Sequence, residues 1–174
     1  MTIIKGNGFI LRHISISDTR RYFEIQQDKD TRRGFMTVPE SMKEARKELK
    51  MKTVDFKKKK PFGESFAIEV KGEFAGFVDL CHLNKKHHEH EGSVSYCIGK
   101  EFRGKGITTA AVKLIVKYGF NKYKLKRMEA RCRTFNKASA KVLKKAGFKL
   151  EGILRKTEFK NGKYYDDMVW AIVK

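Results

Sequence analysis

Apolar and polar positions change their period several times along this chain, and each change marks an element. Residues 3–14 read as a first strand, after which residues 18–27 place Tyr22, Phe23 and Ile25 at helical spacing. Ser41-Met42-Lys43-Glu44 has the spacing of a capping box, and Met42, Ala45, Leu49 and Phe56 then fall near one face. That pattern predicts a helix of about four turns. It stops in Lys57-Lys58-Lys59-Lys60-Pro61-Phe62-Gly63, where lysines meet the negative end of the helix dipole before proline and glycine. Residues 66–70 and 74–80 are two short strands with Lys71-Gly72-Glu73 as their turn, hence a hairpin.

Beyond a polar loop at residues 84–92, Ser93-Val94-Ser95-Tyr96-Cys97-Ile98 alternates as a strand. A helix predicted over residues 104–122 buries Ile107, Ala111, Leu114, Ile115 and Tyr118. Met128, Ala130 and Cys132 alternate on a further strand, and Asn136 opens a last helix that ends at Gly147. Two long strands close the chain around Asn161-Gly162, a type I′ hairpin signal. No internal repeat or low-complexity linker interrupts residues 1–174, so the pattern reads as one α/β domain.

Composition adds bounds. Hydrophobic residues make up 40% of 174 positions and include 13 Phe, enough for one core without staples. Met1-Thr2-Ile3-Ile4-Lys5-Gly6 holds no apolar h-region and no apolar run approaches membrane-spanning length, so a cytoplasmic protein is expected. Cys81, Cys97 and Cys132 form no Cys-x-x-Cys pair, which fits a reducing compartment and argues against a disulfide framework or zinc knuckle. Charge changes the picture more: 40 Lys and Arg against 20 Asp and Glu give +20. Such a field attracts polyanions and repels polycations. A solvated lysine-rich surface accounts for it, and so does an acidic partner such as ribosomal RNA. Polyamines and aminoglycosides are poor acceptors here, because no acidic cluster stands outside Asp166-Asp167.

The candidate chemistry starts at Glu101-Phe102-Arg103-Gly104-Lys105-Gly106-Ile107-Thr108, where a strand runs into a glycine-rich turn that opens a helix. Free N–H groups and the positive dipole end of a helix bind anions. Gly104 and Gly106 let the backbone close on the anion, and Arg103 and Lys105 add charge, so the spacing reads as a pyrophosphate cradle. It lacks the third glycine of the dinucleotide fingerprint, and Gly106 follows Lys105 where a P-loop needs Ser or Thr.

Other segments extend this motif: Gly8-Phe9-Ile10-Leu11-Arg12 near the start, Asn136-Lys137-Ala138-Ser139, Lys144-Lys145-Ala146-Gly147-Phe148, and Asn161-Gly162-Lys163-Tyr164-Tyr165-Asp166-Asp167. Together they resemble the GCN5-related N-acetyltransferase (GNAT) family and are similar to its RimJ/RimL-like branch, which acetylates ribosomal-protein N-termini. The resemblance implies a single-domain fold, a mixed and mostly antiparallel central sheet flanked by about four helices. It implies acetyl-CoA as cosubstrate, no metal, and direct attack by an amine in a ternary complex. The family's acetyl-CoA motif, Arg/Gln-x-x-Gly-x-Gly/Ala, maps to Arg103, Gly104, Lys105, Gly106, Ile107 and Thr108, with Thr108 replacing the usual glycine or alanine. Cys97, Ile98, Asn136, Ser139 and Lys145 complete the expected cosubstrate contacts, with Lys141 beside them as a 3′-phosphate candidate.

Leu143 stands where many relatives carry the tyrosine that protonates the leaving thiolate, and Ser139 occupies the position proposed as acid in the RimL-like branch. Ser93 replaces the glutamate of Glu-x-Gly-Tyr, so the carboxylate that often helps deprotonate the amine is missing there. Asp79, Glu91 and Glu69 remain as base candidates, Tyr96 joins Ser139 as a candidate catalytic hydroxyl, and a backbone N–H from residues 96–98 would polarise the thioester carbonyl. Cys97 as a covalent nucleophile lacks a histidine at motif spacing and reads as apolar filler. His87-His88-Glu89-His90-Glu91 presents metal-ligand types without a distant partner and reads as a solvated loop; Asp166 and Asp167 read as structural.

An α-amine, with a pKa of about 7.7–8.0, needs less deprotonation than lysine at about 10.4. The missing carboxylate therefore favours a protein or peptide N-terminal α-amine, on a ribosomal or another protein, as acceptor. A small-molecule amine or amino acid is the rival acceptor, and a catalytically weak basic module binding RNA or ribosomes is the rival class. The family also raises a homodimer through the closing hairpin, and residues 31–39 and 84–92 are expected to shape the acceptor site.

Overall fold

In a computed structural model that describes residues 2–174, the strands are β1 (Ile3–Lys5), β2 (Ile10–His13), β3 (Glu64–Val70), β4 (Glu73–Cys81), β5 (Glu91–Ile98), β6 (Arg127–Arg133), β7 (Lys149–Lys160) and β8 (Lys163–Val173). The helices are α1 (Thr19–Gln26), α2 (Lys29–Gly34), α3 (Met42–Asp55), α4 (Ile107–Lys122) and α5 (Lys137–Ala146). One mixed sheet runs in the order β1-β2-β3-β4-β5-β6-β8-β7, antiparallel throughout except between β5 and β6. No helix among the described residues is long and apolar enough to cross a membrane.

Three expectations shift. The predicted strand at residues 3–14 is a hairpin of two, because Gly8 turns at φ +77° and the Gly6 N–H donates to the Phe9 carbonyl at 2.9 Å. Helix α4 starts at Ile107 rather than at 104, since Gly104 and Gly106 both hold φ +77°, outside the helical region. Helix α2 overlaps the start of the segment expected as an acceptor loop, and Asp28 caps it by accepting the Thr31 N–H at 3.1 Å. The Asn161-Gly162 turn has φ +51° and +73°, as a type I′ hairpin requires.

Strand alternation sends side chains to two cores. On one face, Phe66, Ile68, Val78, Leu80, Val94 and Met128 meet Ala111, Val112 and Ile115 of α4 and Leu143 of α5. On the other, Ala67, Phe77 and Cys97 meet Tyr22 and Ile25 of α1 and Ala45 and Leu49 of α3. Both faces of β3 and β4 are covered, which is why those strands read as nearly continuous apolar runs.

Glu64 at the start of β3 is 1% exposed and accepts hydrogen bonds from His13 Nε2 at 2.7 Å, Lys122 Nζ at 2.7 Å, Tyr118 and Tyr123. Burial alone would raise its pKa, but the bonds donated by His13, Lys122 and Tyr123 outweigh it and bring the carboxyl from 4.5 down to about 2. A folded-state pKa below the unfolded one stabilises the fold above the unfolded value, and that stabilisation is lost as pH falls toward 2. Thermal melts of the wild type are therefore expected to lose stability between pH 4.5 and 2 more steeply than those of Glu64→Gln, which starts about 3 kcal/mol lower at neutral pH.

Candidate functional site

Strands β5 and β6 pair only where residues 91–93 face residues 127–129, and beyond Ser93 they part. The Gly99 N–H donates to the Ala75 carbonyl at 2.8 Å, and the register pairs Phe77 with Cys97. Hydrogen-bonded pairs alternate along an antiparallel ladder, so the main chain of Cys97 faces β4 while that of Tyr96 and Ile98 faces the opening. The Tyr96 main-chain groups and the Ile98 N–H suit an extended amide-bearing chain laid between the strands, while the Ile98 carbonyl accepts from Arg103 Nε at 3.4 Å.

The cradle follows at the wide end of the opening. A 3₁₀ turn at Lys100–Phe102 leads into Gly104 and Gly106, and α4 begins without a side-chain cap. The N–H groups of Ile107, Thr108 and Thr109 thus have no partner within the helix, while the Ala110 N–H already bonds the Gly106 carbonyl. A Cβ built at Gly104 or Gly106 meets no protein atom within 4 Å, so the space over the helix end is free for a ligand. Lys105 is exposed there. This arrangement fits the pyrophosphate of acetyl-CoA.

Across the opening, the Tyr96 hydroxyl lies 2.8 Å from Ser139 Oγ and 3.3 Å from the Ser139 carbonyl oxygen. Burial pushes the Tyr96 phenol above its ordinary range, so it stays protonated, and either hydroxyl of the pair can donate to the other. Asn136 Oδ1 accepts the Ser139 N–H at 3.0 Å and caps α5. A Tyr96–Ser139 hydroxyl pair at the end of a helix first turn can hand a proton to an anion in the opening. Leu143 is buried in the core.

Four candidates do not stand where the sequence placed them. Arg103 is turned from the cradle: its Nη2 donates to Asp28 at 2.7 Å and to the Thr31 hydroxyl at 3.1 Å, tying the loop to α2. Cys97 presents no main-chain group to the opening, and its buried thiol sits 3.9 Å from the Thr31 hydroxyl with its pKa pushed up to about 12 by burial. Asp79 is 4% exposed on the sheet face opposite the Tyr96 side chain and is ion-paired to Lys52 of α3, so it cannot take a proton in the opening. Glu91 begins β5, seven residues and about 23 Å of strand from Ile98. It lies 3.3 Å from both His88 and His90, and among the described residues no group of three His, Cys, Asp or Glu is placed to hold a metal. Glu69 is engaged by Arg12 at 2.7 Å, and Lys145 is exposed on the last turn of α5.

Helix α2, not expected from the sequence, is tied to the cradle loop and to the closing hairpin. Asp28 holds one end through Arg103, and at the other Lys160 Nζ from the closing hairpin donates to the Arg32 and Phe35 carbonyls at 2.7 and 2.6 Å. The Asp28 cap ahead of Thr31 was the readable signal; nothing in the sequence pairs Lys160 with residues about 125 positions away. Nearby Arg133 is 4% exposed and neutralises Asp167 and Glu158, which supports the structural reading of Asp167. Ser93 Oγ bonds His82 Nδ1 at 2.8 Å.

Residues 9–149 match the acetyltransferase (GNAT) domain family. The uncharacterized N-acetyltransferase YoaA of Bacillus subtilis is 31% identical over 175 residues, covering 99% of this chain and 97% of that protein. The spermidine N(1)-acetyltransferase of Escherichia coli K12 is 35% identical over 99 residues, 57% of this chain and 52% of that protein. Among solved structures, RimL, a ribosomal L7/L12 alpha-N-protein acetyltransferase in complex with coenzyme A, matches with a TM-score of 0.87 at 20% identity over 99% of this chain and 98% of that one. A family match across most of the chain, joined by a relative similar along its whole length, makes this protein a member of the GNAT family, an acyltransferase that takes its acetyl group from acetyl-CoA.

Proposed function

We propose that this enzyme acetylates a protein or peptide N-terminal α-amine by direct attack within a ternary complex. The observation that carries the reading is the state of the acidic side chains around the opening: Asp28 is paired with Arg103, Glu69 with Arg12, and Glu158 and Asp167 with Arg133. These four carboxylates are all held by arginines, so none of them is free to deprotonate an amine with a pKa of about 10.4, whereas an α-amine of about 7.7–8.0 needs little help. The fold of RimL, which acts on a ribosomal-protein α-amine, supports the same reading.

Acetyl-CoA supplies the activated thioester carbonyl. The amides of residues 107–109 and Lys105 hold its pyrophosphate, and the Tyr96 and Ile98 main chain orients the arm and polarises the carbonyl. Ser139, aligned by Tyr96, gives the departing thiolate its proton and takes up the one that the attacking amine sheds, so the serine ends neutral. A small-molecule amine is the second reading, favoured by the spermidine N(1)-acetyltransferase relative, although the +20 charge repels a polycation such as spermidine itself.

Thiol release measured with acetyl-CoA and a panel of free-amine peptides, Nα-formylated copies of those peptides, spermidine and amino acids tests the choice. Turnover of the peptides and not of their formylated copies is expected. Turnover of spermidine or amino acids alone would replace the peptide reading with the small-amine one.

A further inference from the structure

The sheet divides the chain's charge unevenly. Residues 102–150 hold fifteen Lys and Arg and one acidic residue, Glu129; Arg103, Arg127 and Arg133 pair with carboxylates outside this segment, while α4 and α5 carry seven lysines and no acidic residue. The segment builds α4, β6 and α5, whose two helices pack together on one face of the sheet. Lys113 and Lys117 of α4 and Lys137, Lys141, Lys144 and Lys145 of α5 are exposed. On these two helices only Lys122 has a carboxylate partner, Glu64, among the described residues. A lysine-rich composition alone does not produce this. Helix α3, on the opposite face, interleaves Lys43, Arg46, Lys47 and Lys50 with Glu44, Glu48 and Asp55.

Acetyl-CoA does not account for the patch either. Lys117 lies ten residues beyond Ile107, about 15 Å along the helix from the cradle. Unpaired lysines at i, i+4 spacing repel one another unless a polyanion covers them. None of the large hydrophobic residues exposed among the described residues lies on α4 or α5, so this layer has neither the apolar face that inserts into a bilayer nor aromatic platforms for unstacked bases. We propose that the outer surface of α4 and α5 docks double-stranded RNA through its phosphate backbone, with the lysines as sequence-independent point charges. This role is separate from acetyl transfer and does not depend on which amine is the acceptor.

The test uses the whole chain with saturating acetyl-CoA and an RNA duplex of about 20 base pairs, long enough for shape-based backbone recognition. Fluorescence anisotropy is read across a potassium chloride series. The triple variant Lys113→Glu, Lys117→Glu, Lys144→Glu is expected to weaken binding at least about tenfold and to flatten the salt slope by about one per lysine. The α3 variant Lys43→Glu, Lys47→Glu, Lys50→Glu makes the same charge change on the other face and is expected to cost less than about twofold. The thermal shift with acetyl-CoA reports that both variants are folded. Equal losses in the two variants would overturn the proposal in favour of a diffuse whole-molecule field. So would abolition of RNA binding by acetyl-CoA, or binding to phosphatidylserine vesicles with none to RNA.

Discussion

Gly106→Val is expected to abolish the stabilisation that acetyl-CoA gives the wild-type enzyme while leaving the protein folded. Gly106 holds φ +77° at the first position before α4, where an L-residue is strained by about 1–2 kcal/mol. A Cβ there meets no protein atom within 4 Å, so the fold bears the strain without a clash. The valine methyls instead stand over the free amides of residues 107–109, where the pyrophosphate belongs. Ligand at a hundredfold excess over Kd stabilises the wild type by about 2.7 kcal/mol by mass action. Thermal shift with acetyl-CoA should give the variant none of this. Gly162→Ala serves as the control, because Gly162 has φ +73° in the remote hairpin turn and its variant should keep the full shift. An undiminished shift in Gly106→Val would move the cosubstrate away from the cradle.

Ser139→Ala is expected to lower kcat about 10²-fold, the lower end of what a positioned general acid supplies, with the KM for acetyl-CoA nearly unchanged. The substitution spares the helix, since Asn136 caps α5 through the backbone N–H of residue 139 and not through its side chain. Tyr96→Phe should cost less, because it removes only the hydroxyl that orients Ser139. Burial keeps the Tyr96 phenol protonated, so the wild-type kcat should hold on the alkaline side up to about pH 10. A Ser139→Ala enzyme with unchanged kcat would remove Ser139 from the chemistry.

Local signals carried far in this chain. The two αL glycines of the cradle and the Asn161-Gly162 turn depend on one or two residues and their immediate neighbours, and both form; of the capping box at Ser41 half forms, the Ser41 hydroxyl accepting the Glu44 N–H while the Glu44 carboxylate accepts the Glu40 N–H. Asn136 likewise caps α5 as its residue type favours. The failures came where a side chain chose between partners distant in sequence. Arg103 has the right charge and place for a phosphate, yet Asp28, 75 residues away, takes its guanidinium. Asp79 has the right chemistry for a base, yet the pleat directs it to the α1/α3 face, where Lys52 claims it.

What the sequence determined by itself was therefore the list of elements, the family's acetyl-CoA turn and the excess of positive charge, because period, turn chemistry and composition act over short range or over the whole chain. Tertiary structure alone decided which face each strand residue occupies, where β5 and β6 part to expose the main chain of Tyr96 and Ile98, and how α2 is held between Arg103 and Lys160. It also laid the seven lysines of α4 and α5, with no acidic residue among them, side by side on one face of the sheet. These features depend on strand register and on contacts between residues far apart in the chain, and one position of register exchanges the two faces of a strand.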